Sequence, residues 1–423
     1  MTKMKKLYLF LAFLMLSHGI QSAVLLIPMD ETQKNHLKAY GIAYWVLAKG
    51  QSVDWLLNYE GGSFATNFSS PIEKECLIRG VSYTIIADAQ YDKIKADIAV
   101  PEVNMDVVKL DKAPKVAVYS PKNKRPWDDA VTLAMTYAEI PYDIIYDDEI
   151  LQGKLPLYDW VHLHHEDFTG QYGKFWLGYR QEQWYKDDVA ENEGIAKRWG
   201  YAKVSQLKLA VVKKLRDFLA GGGYLFAMCT ATDTYDIALA ADGLDICESV
   251  YDGDPADRTA GSKLDFSQTL AFTNFSLIYD PSEIEFSSID VPASRMMQMN
   301  ESNDYFTLFD YSAKWDQIPA MLCQNHTRII KGFMGQTTAF RKQYIKPSVL
   351  IMGENKALNE ARYIHGEFGK GMWTFYGGHD PEDYQHMVYE PPTDLNLHPN
   401  SPGYRLILNN VLFPAAKKQK RKT

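Results

Sequence analysis

The chain has 423 residues, 46% of them hydrophobic and 23% charged, close to the averages of soluble globular proteins, which excludes the disordered and low-complexity classes. Its length allows two or three domains, each large enough for a core. With 45 Lys and Arg against 53 Asp and Glu the net charge is −8, so no general surface for nucleic acid or an anionic membrane is expected.

Lys3, Lys5 and Lys6 precede an apolar run at 7–16, and small residues follow up to Ala23; residues 1–23 read as a secretory signal peptide. The run has about half of the roughly 20 residues a membrane helix needs. The mature form is therefore expected to be exported, periplasmic or secreted, with no membrane span. Lys417, Lys418, Lys420, Arg421 and Lys422 make residues 414–423 a basic tail, which reads as a solvated end. Cys76, Cys229, Cys247 and Cys323 are too few for a disulfide scaffold, although an oxidising compartment would permit pairing.

Residues 24–112 alternate between short apolar strands (24–28, 53–59, 83–87) and helical patterns (36–47, 72–79, 91–98), a small α/β module. A second series occupies 113–413. It starts with a strand at 115–119, a helix at 127–138, and strands at 142–146 and 160–164. A polar, aromatic-rich insertion at 168–200 follows, then a helix at 207–219 and a strand at 224–228. These strands are apolar on both faces, as in a parallel sheet covered by helices. The expected fold class is thus α/β, a doubly wound and mostly parallel sheet whose ligand crevice lies at the carboxyl ends of the strands. Further strands are expected at 270–278, 328–332 and 349–352. A hairpin is expected where 363–367 and 372–376 flank Gly369, Lys370 and Gly371, and a last helix at 404–412.

Cys229 stands where the strand 224–228 meets a following helix, with Ala227 and Ala231 two residues away on either side. A strand-turn-helix elbow of this kind exposes a nucleophile on a strained backbone and needs small neighbours. Free N–H groups at a helix start also favour a thiolate, which predicts a thiol pKa lowered toward neutrality, and Thr230 at that start is a candidate binding residue.

The elbow, the strand order before it, the Gly-Lys-Gly hairpin, and His379 with nearby acids after the last strand together resemble the class I glutamine amidotransferase-like superfamily over roughly 115–413. The resemblance implies a cysteine-dependent carboxamide hydrolase with glutaminase-type chemistry. In it Cys229 attacks, His379 is general base and acid, and Glu382 orients the imidazole. The family acid stands two residues after the histidine, whereas here Asp380 follows by one and Glu382 by three. The family's oxyanion loop maps onto Thr169, Gly170, Gln171, Tyr172 and Gly173, whose N–H groups would bind substrate. The implied partner is a small-molecule or peptide amide, and no cofactor is implied. The whole chain is also similar to an exported family labelled asparagine synthetase B, through Ile27 to Glu31, His164 to Gly173, and Asn400 to Tyr404. It lacks the N-terminal cysteine and the Ser-Gly-Gly-x-Asp-Ser pyrophosphate loop of true asparagine synthetases.

His162, His164, His165, Glu166 and Asp167 form the densest set of ligand-type side chains. On a strand, His162, His164 and Glu166 would share one face, and His165 and Asp167 the other. The expectation is that His164, His165 and Glu166 line the crevice and bind substrate, with no residue assigned to a metal. A metal-dependent hydrolase built on residues 162–167, with His365, Glu367 or His386 completing the shell, is one alternative. A non-catalytic binding or scaffold protein of the same fold is another. Asp128 and Asp129 read as a helix cap, and Asp252, Asp254 and Asp257 as an acidic loop that calcium would suit.

Overall fold

The computed structural model describes residues 23–123, 125–384 and 387–416. The expected leader up to residue 22, His386, and the tail from 417 lie outside them. No helix among the described residues is long and apolar enough to cross a membrane.

The N-terminal segment forms five strands: β1 (Ala23–Ile27), β2 (Val53–Leu57), β3 (Ser63–Asn67), β4 (Thr84–Ala87) and β5 (Asp106–Leu110). Their order is β4-β1-β3-β2-β5 and every pairing is antiparallel. The strands and helices expected here form, and β3 and β5, which lack a clear apolar pattern in sequence, add to them. The link at 58–62 is too short for a parallel crossover, so β3 folds back on β2.

The larger sheet contains β6 (Val116–Tyr119), β7 (Asp143–Ile145), β8 (Trp160–Leu163), β9 (Tyr224–Met228), β10 (Tyr305–Leu308), β11 (Ile329–Lys331), β12 (Phe340–Arg341), β13 (Leu350–Asn355), β14 (Glu360–Phe368) and β15 (Gly371–Tyr376). Its path is β11-β10-β13-β14-β15-β9-β8-β6-β7, with β12 pairing β14. The strands from β7 to β15 through β6, β8 and β9 run parallel. Beyond β15 the pairings are antiparallel. The architecture is mixed α/β, and the sheet is mixed rather than mostly parallel. The tight turn at Gly369 and Lys370 pairs β14 and β15 as the expected hairpin, and β10 to β13 continue the sheet antiparallel beyond it. Gly369 has φ +61°, and a Cβ there would lie 2.6 Å from the Cα of Ala220.

The strand expected at 270–278 does not form. The buried carboxylate of Asp236 accepts the N–H groups of Leu270, Ala271 and Phe272 at 2.7, 2.7 and 2.9 Å, so they are lost to any ladder. Phe272 and Leu277 make only isolated bridges, to Ile345 and Ser287.

Helix His36–Ala48 packs against helices Ala130–Ala138 and Pro402–Leu412, and one apolar core joins Leu37, Tyr40 and Trp55 to Ala134, Phe226 and Leu408. The N-terminal module and the large sheet therefore share a core. A Cβ on Gly41 would lie 1.8 Å from the carbonyl oxygen of Ala138, so these helices meet at backbone distance. The buried Arg405 adds polar ties across the junction, to the Met29 carbonyl at 2.7 Å and the Tyr40 hydroxyl at 3.2 Å. Helices Val204–Gly221 and Thr230–Ala240 contribute to a second core that includes Ala117, Val161, Leu225 and Phe375.

Candidate active site

The carboxyl ends of β6, β8, β9 and β15 deliver the candidate residues. Cys229 follows β9 and precedes helix Thr230–Ala240 with φ +52° and ψ −137°, a strained conformation for a residue with a Cβ. Its thiol differs from the sequence expectation. Burial pushes it up to about 11, outweighing the backbone N–H groups of Thr337, Thr230 and Gln336 that point at the sulfur, and the Asp233 charge adds to the rise. The loop at 333–338 covers the sulfur. It is pinned by the Gly378 N–H to the Thr337 carbonyl (2.8 Å), the His379 N–H to the Met334 carbonyl (3.0 Å), and the Arg362 guanidinium to the Phe333 carbonyl (2.9 Å). All four cysteines are free thiols, and the Cys247 thiol donates to the Thr169 carbonyl at 3.2 Å.

The groups that bear most on the Cys229 thiol include no histidine. His379 lies after β15 and turns to other imidazoles: its Nε2 is 2.5 Å from Nε2 of His165. Glu382, expected to orient His379, instead faces His398 with 3.3 Å between carboxylate and Nδ1. The reverse turn at Asp380 accounts for this. Asp380 is fully buried and accepts the Glu382 N–H at 3.0 Å, which carries the Glu382 side chain outward.

His164 and His165 follow β8, which ends at Leu163, so the alternation expected over 162–167 stops there. Their rings stack at 3.7 Å, and the His379 ring lies 4.5 Å from His164 and 4.0 Å from His165. His164 and His379 are buried and His165 is partly open. One ring nitrogen from each of the three falls within 4.8 Å of the others, an arrangement able to hold a metal ion. Asp129 stands behind them. One of its oxygens caps helix Ala130–Ala138 through the Thr132 N–H at 2.8 Å. The other meets Nδ1 of His164 at 2.9 Å and Nε2 of His162 at 3.2 Å. Burial would push the Asp129 carboxyl up, but His162 and His164 together hold it well below the usual range. A carboxylate-backed histidine beside two more imidazoles is a nitrogen donor set suited to zinc or a similar divalent ion. His365 is not part of the cluster. It sits on β14 with Nδ1 3.3 Å from the Thr374 hydroxyl.

The loop after these histidines is not an oxyanion hole. The Asp167 carboxylate accepts the N–H groups of Thr169, Gln171 and Gly173 at 2.6, 2.7 and 3.1 Å, and the Thr169 hydroxyl at 2.5 Å. The loop is a nest for its own acid. Gly170 is required there by φ +85° and by Ser205, whose N would lie 2.7 Å from an added Cβ. Gln171 is buried and donates to the Thr169 hydroxyl at 2.9 Å. The Thr230 hydroxyl is buried, and the second N–H of its helix, that of Ala231, is taken by the His164 carbonyl at 2.9 Å.

Glu166, His165, Arg125, Trp127 and Lys208 line a cavity of about 30 Å³, room for about two water molecules. Arg125 pairs with Asp188 at 2.5 Å, and Lys208 with Asp147 at 2.9 Å. Burial pushes Glu166 up to about 7 against the pull of Arg125 and Lys208. The acidic loop expected to suit calcium carries its own cation: the Lys203 ammonium lies 2.6, 3.0 and 2.7 Å from Asp245, Asp252 and Asp254.

No protein-family model and no curated protein matches the chain. Among solved structures it is similar to the cytoplasmic protein STM3548 from Salmonella typhimurium, at 8% identity over 72% of this chain and 100% of that one, TM-score 0.34. It is similar also to the cytoplasmic protein STM1381 from Salmonella typhimurium LT2, at 9% identity over 72% and 100%, TM-score 0.35. A beta-galactosidase from Rahnella sp. R3 aligns at 11% identity over 63% of this chain and 28% of its own, TM-score 0.25. Likenesses this loose assign no activity, and the functional reading rests on the residues.

Proposed function

We propose that the chain is an exported metal-dependent hydrolase whose reaction centre is His164, His165 and His379. The observation that carries this is the convergence of their three ring nitrogens within 4.8 Å, with Asp129 behind His164. A divalent ion held there would polarise a carbonyl or phosphoryl oxygen and bring the pKa of a coordinated water toward 7. The protein's own part is positional. The Asp129 carboxylate accepts a hydrogen bond from Nδ1 of His164, which puts the lone pair of that ring on Nε2, and His162 braces the same carboxylate from the other side. The strands beneath are packed, so the imidazoles are held in place before any ion arrives.

The test is metal content and Co²⁺ absorption of the purified chain against His379→Ala, followed by hydrolysis of activated esters, anilides and phosphoesters. One equivalent of metal in the parent, lost in the variant together with chelator-sensitive hydrolysis, is expected. A parent that takes up no more metal than the variant overturns the reading.

A second reading is a cysteine-dependent carboxamide hydrolase of amidotransferase-like type, with Cys229, His379 and Glu382 acting on a small-molecule or peptide amide. What favours it is the +52° φ of Cys229 and the three N–H groups at its sulfur. Activity abolished by alkylation and untouched by chelators would select it. A chain with neither activity would select the binding or scaffold alternative.

A further inference from the structure

The aromatic-rich insertion builds a second, larger pocket. Tyr172, Trp176 and Tyr185 from the insertion and Tyr251 from helix Ser249–Asp252 wall an open cavity of about 320 Å³, within the range that takes small ligands. Arg180, Lys186 and Glu193, all exposed, stand around it. Tyr172 lines both this pocket and the small cavity beside His165 and Glu166, so the two are neighbours across one phenol ring.

The ligand chemistry follows from what the walls offer. Flat aromatic faces suit a ring, either aromatic or the C–H face of a sugar. The polar groups decide between them. Tyr251 is 5% exposed and its hydroxyl has no hydrogen-bond partner among the described residues. That hydroxyl is closed off from solvent and from the cavity, so the exposed rim decides between the two kinds of ring. The rim supplies donors on Arg180 and Lys186 and an acceptor on Glu193, which matches a ligand that donates and accepts around its whole edge. We infer that this pocket binds a pyranose ring and anchors a carbohydrate-bearing substrate beside the histidine centre. The claim that the ring belongs to the substrate rests on the hydrolase reading, whereas binding of the ring does not.

Binding is therefore measured without turnover, by saturation-transfer NMR and calorimetry on the purified mature chain. The probes are methyl glycosides of glucose, galactose, mannose and N-acetylglucosamine, with p-cresol as a flat aromatic control. At least one glycoside is expected to bind. Trp176→Ala should weaken it by more than about tenfold. Lys186→Ala and Glu193→Gln, on exposed side chains, should each weaken it severalfold without changing the melting temperature. His379→Ala should bind the glycoside as the parent does, so loss of the metal centre and loss of this pocket are read separately. If no glycoside binds, if p-cresol alone binds, or if Trp176→Ala binds the glycoside undiminished, the inference is overturned.

Discussion

The Nε2 atoms of His165 and His379, 214 residues apart in the chain, face each other at 2.5 Å. At that distance both cannot carry a proton, so at least one presents a lone pair to the other. Two imidazoles on one tetrahedral ion with bonds of about 2.0–2.1 Å stand roughly 3.3 Å apart, so the rings need only part slightly to admit it. Nε2 of His165 also lies 3.1 Å from the Asp128 carbonyl, which can only accept, so without an ion His165 carries the proton there and Nε2 of His379 accepts it.

The support behind the cluster gives the first prediction. Asp129→Asn removes the charge that holds the His164 tautomer while leaving an amide to cap the helix at Thr132. Zinc affinity should fall by about 10–100-fold, read by competition with a chromophoric chelator, and the melting temperature without metal should change little. Unchanged zinc affinity would remove Asp129 from the proposed centre.

Cys229 gives the second. With its thiol pushed up to about 11 and covered by the loop at 333–338, it should be alkylated by iodoacetamide at pH 7 at least about 100-fold more slowly than in the urea-unfolded chain. Peptide mass mapping separates it from the other thiols. His379→Ala should leave the rate as it is. Rapid labelling at neutral pH that drops in His379→Ala would instead support the cysteine reading.

These two sites mark how far the sequence reaches. The elbow was legible because its strand, its cysteine and its small neighbours are contiguous, and backbone strain at Cys229 follows from local pattern. The state of its thiol was not, since it depends on N–H groups from Gln336 and Thr337 and on the lid they belong to, more than 100 residues away. Likewise 162–167 declared itself as a ligand-rich run, but which histidines meet depends on where β8 ends and on how Asp380 turns the chain after His379. Asp129 caps helix Ala130–Ala138, as its position before the helix implies. That its second oxygen joins two histidines was hidden because a capping aspartate and a supporting carboxylate look alike in sequence. Strand positions and the hairpin at Gly369–Lys370 were mostly legible, whereas the antiparallel return of β3 over the short link at 58–62 was not.

The lid has its own foundation. Arg362 and Asp304 are both fully buried and pair at 2.6 Å, Arg295 joins Asp304 at 3.1 Å, and Arg362 also holds the Phe333 carbonyl at the start of the lid. Arg362→Met keeps the volume but leaves a buried carboxylate short of a partner and the lid short of its anchor. Global stability in chemical denaturation should drop by about 3–5 kcal/mol. Cys229 alkylation should accelerate in Arg362→Met under conditions where it stays folded. A loss under about 1 kcal/mol would show that the pair contributes little net stability.

Acid sensitivity supplies the last prediction. Burial lowers His36 and His365 to about 4 and His326 to about 3, with the charge of Arg405 adding to the fall at His36, and His36 and Arg405 adding to it at His326. From about pH 6.5 down to 4 the unfolded chain binds protons that the folded chain refuses. These three residues therefore contribute stability that is present above pH 6.5 and is lost as pH falls toward 4, each by up to about 1.4 kcal/mol per pH unit. Asp233 and Asp236, raised by burial to about 7 and 6, act with the opposite sign over the same range, so the total slope mixes both. A difference measurement isolates one histidine. His365→Gln, which keeps a donor for the Thr374 hydroxyl, should lose stability relative to the parent at pH 7 and regain it steadily as the pH is lowered, because the variant no longer has an imidazole to protonate on unfolding. Urea midpoints at half-unit steps from pH 7 to 4.5 measure it, and a gap between parent and variant that stays constant across that range would mean that His365 takes up no proton on unfolding.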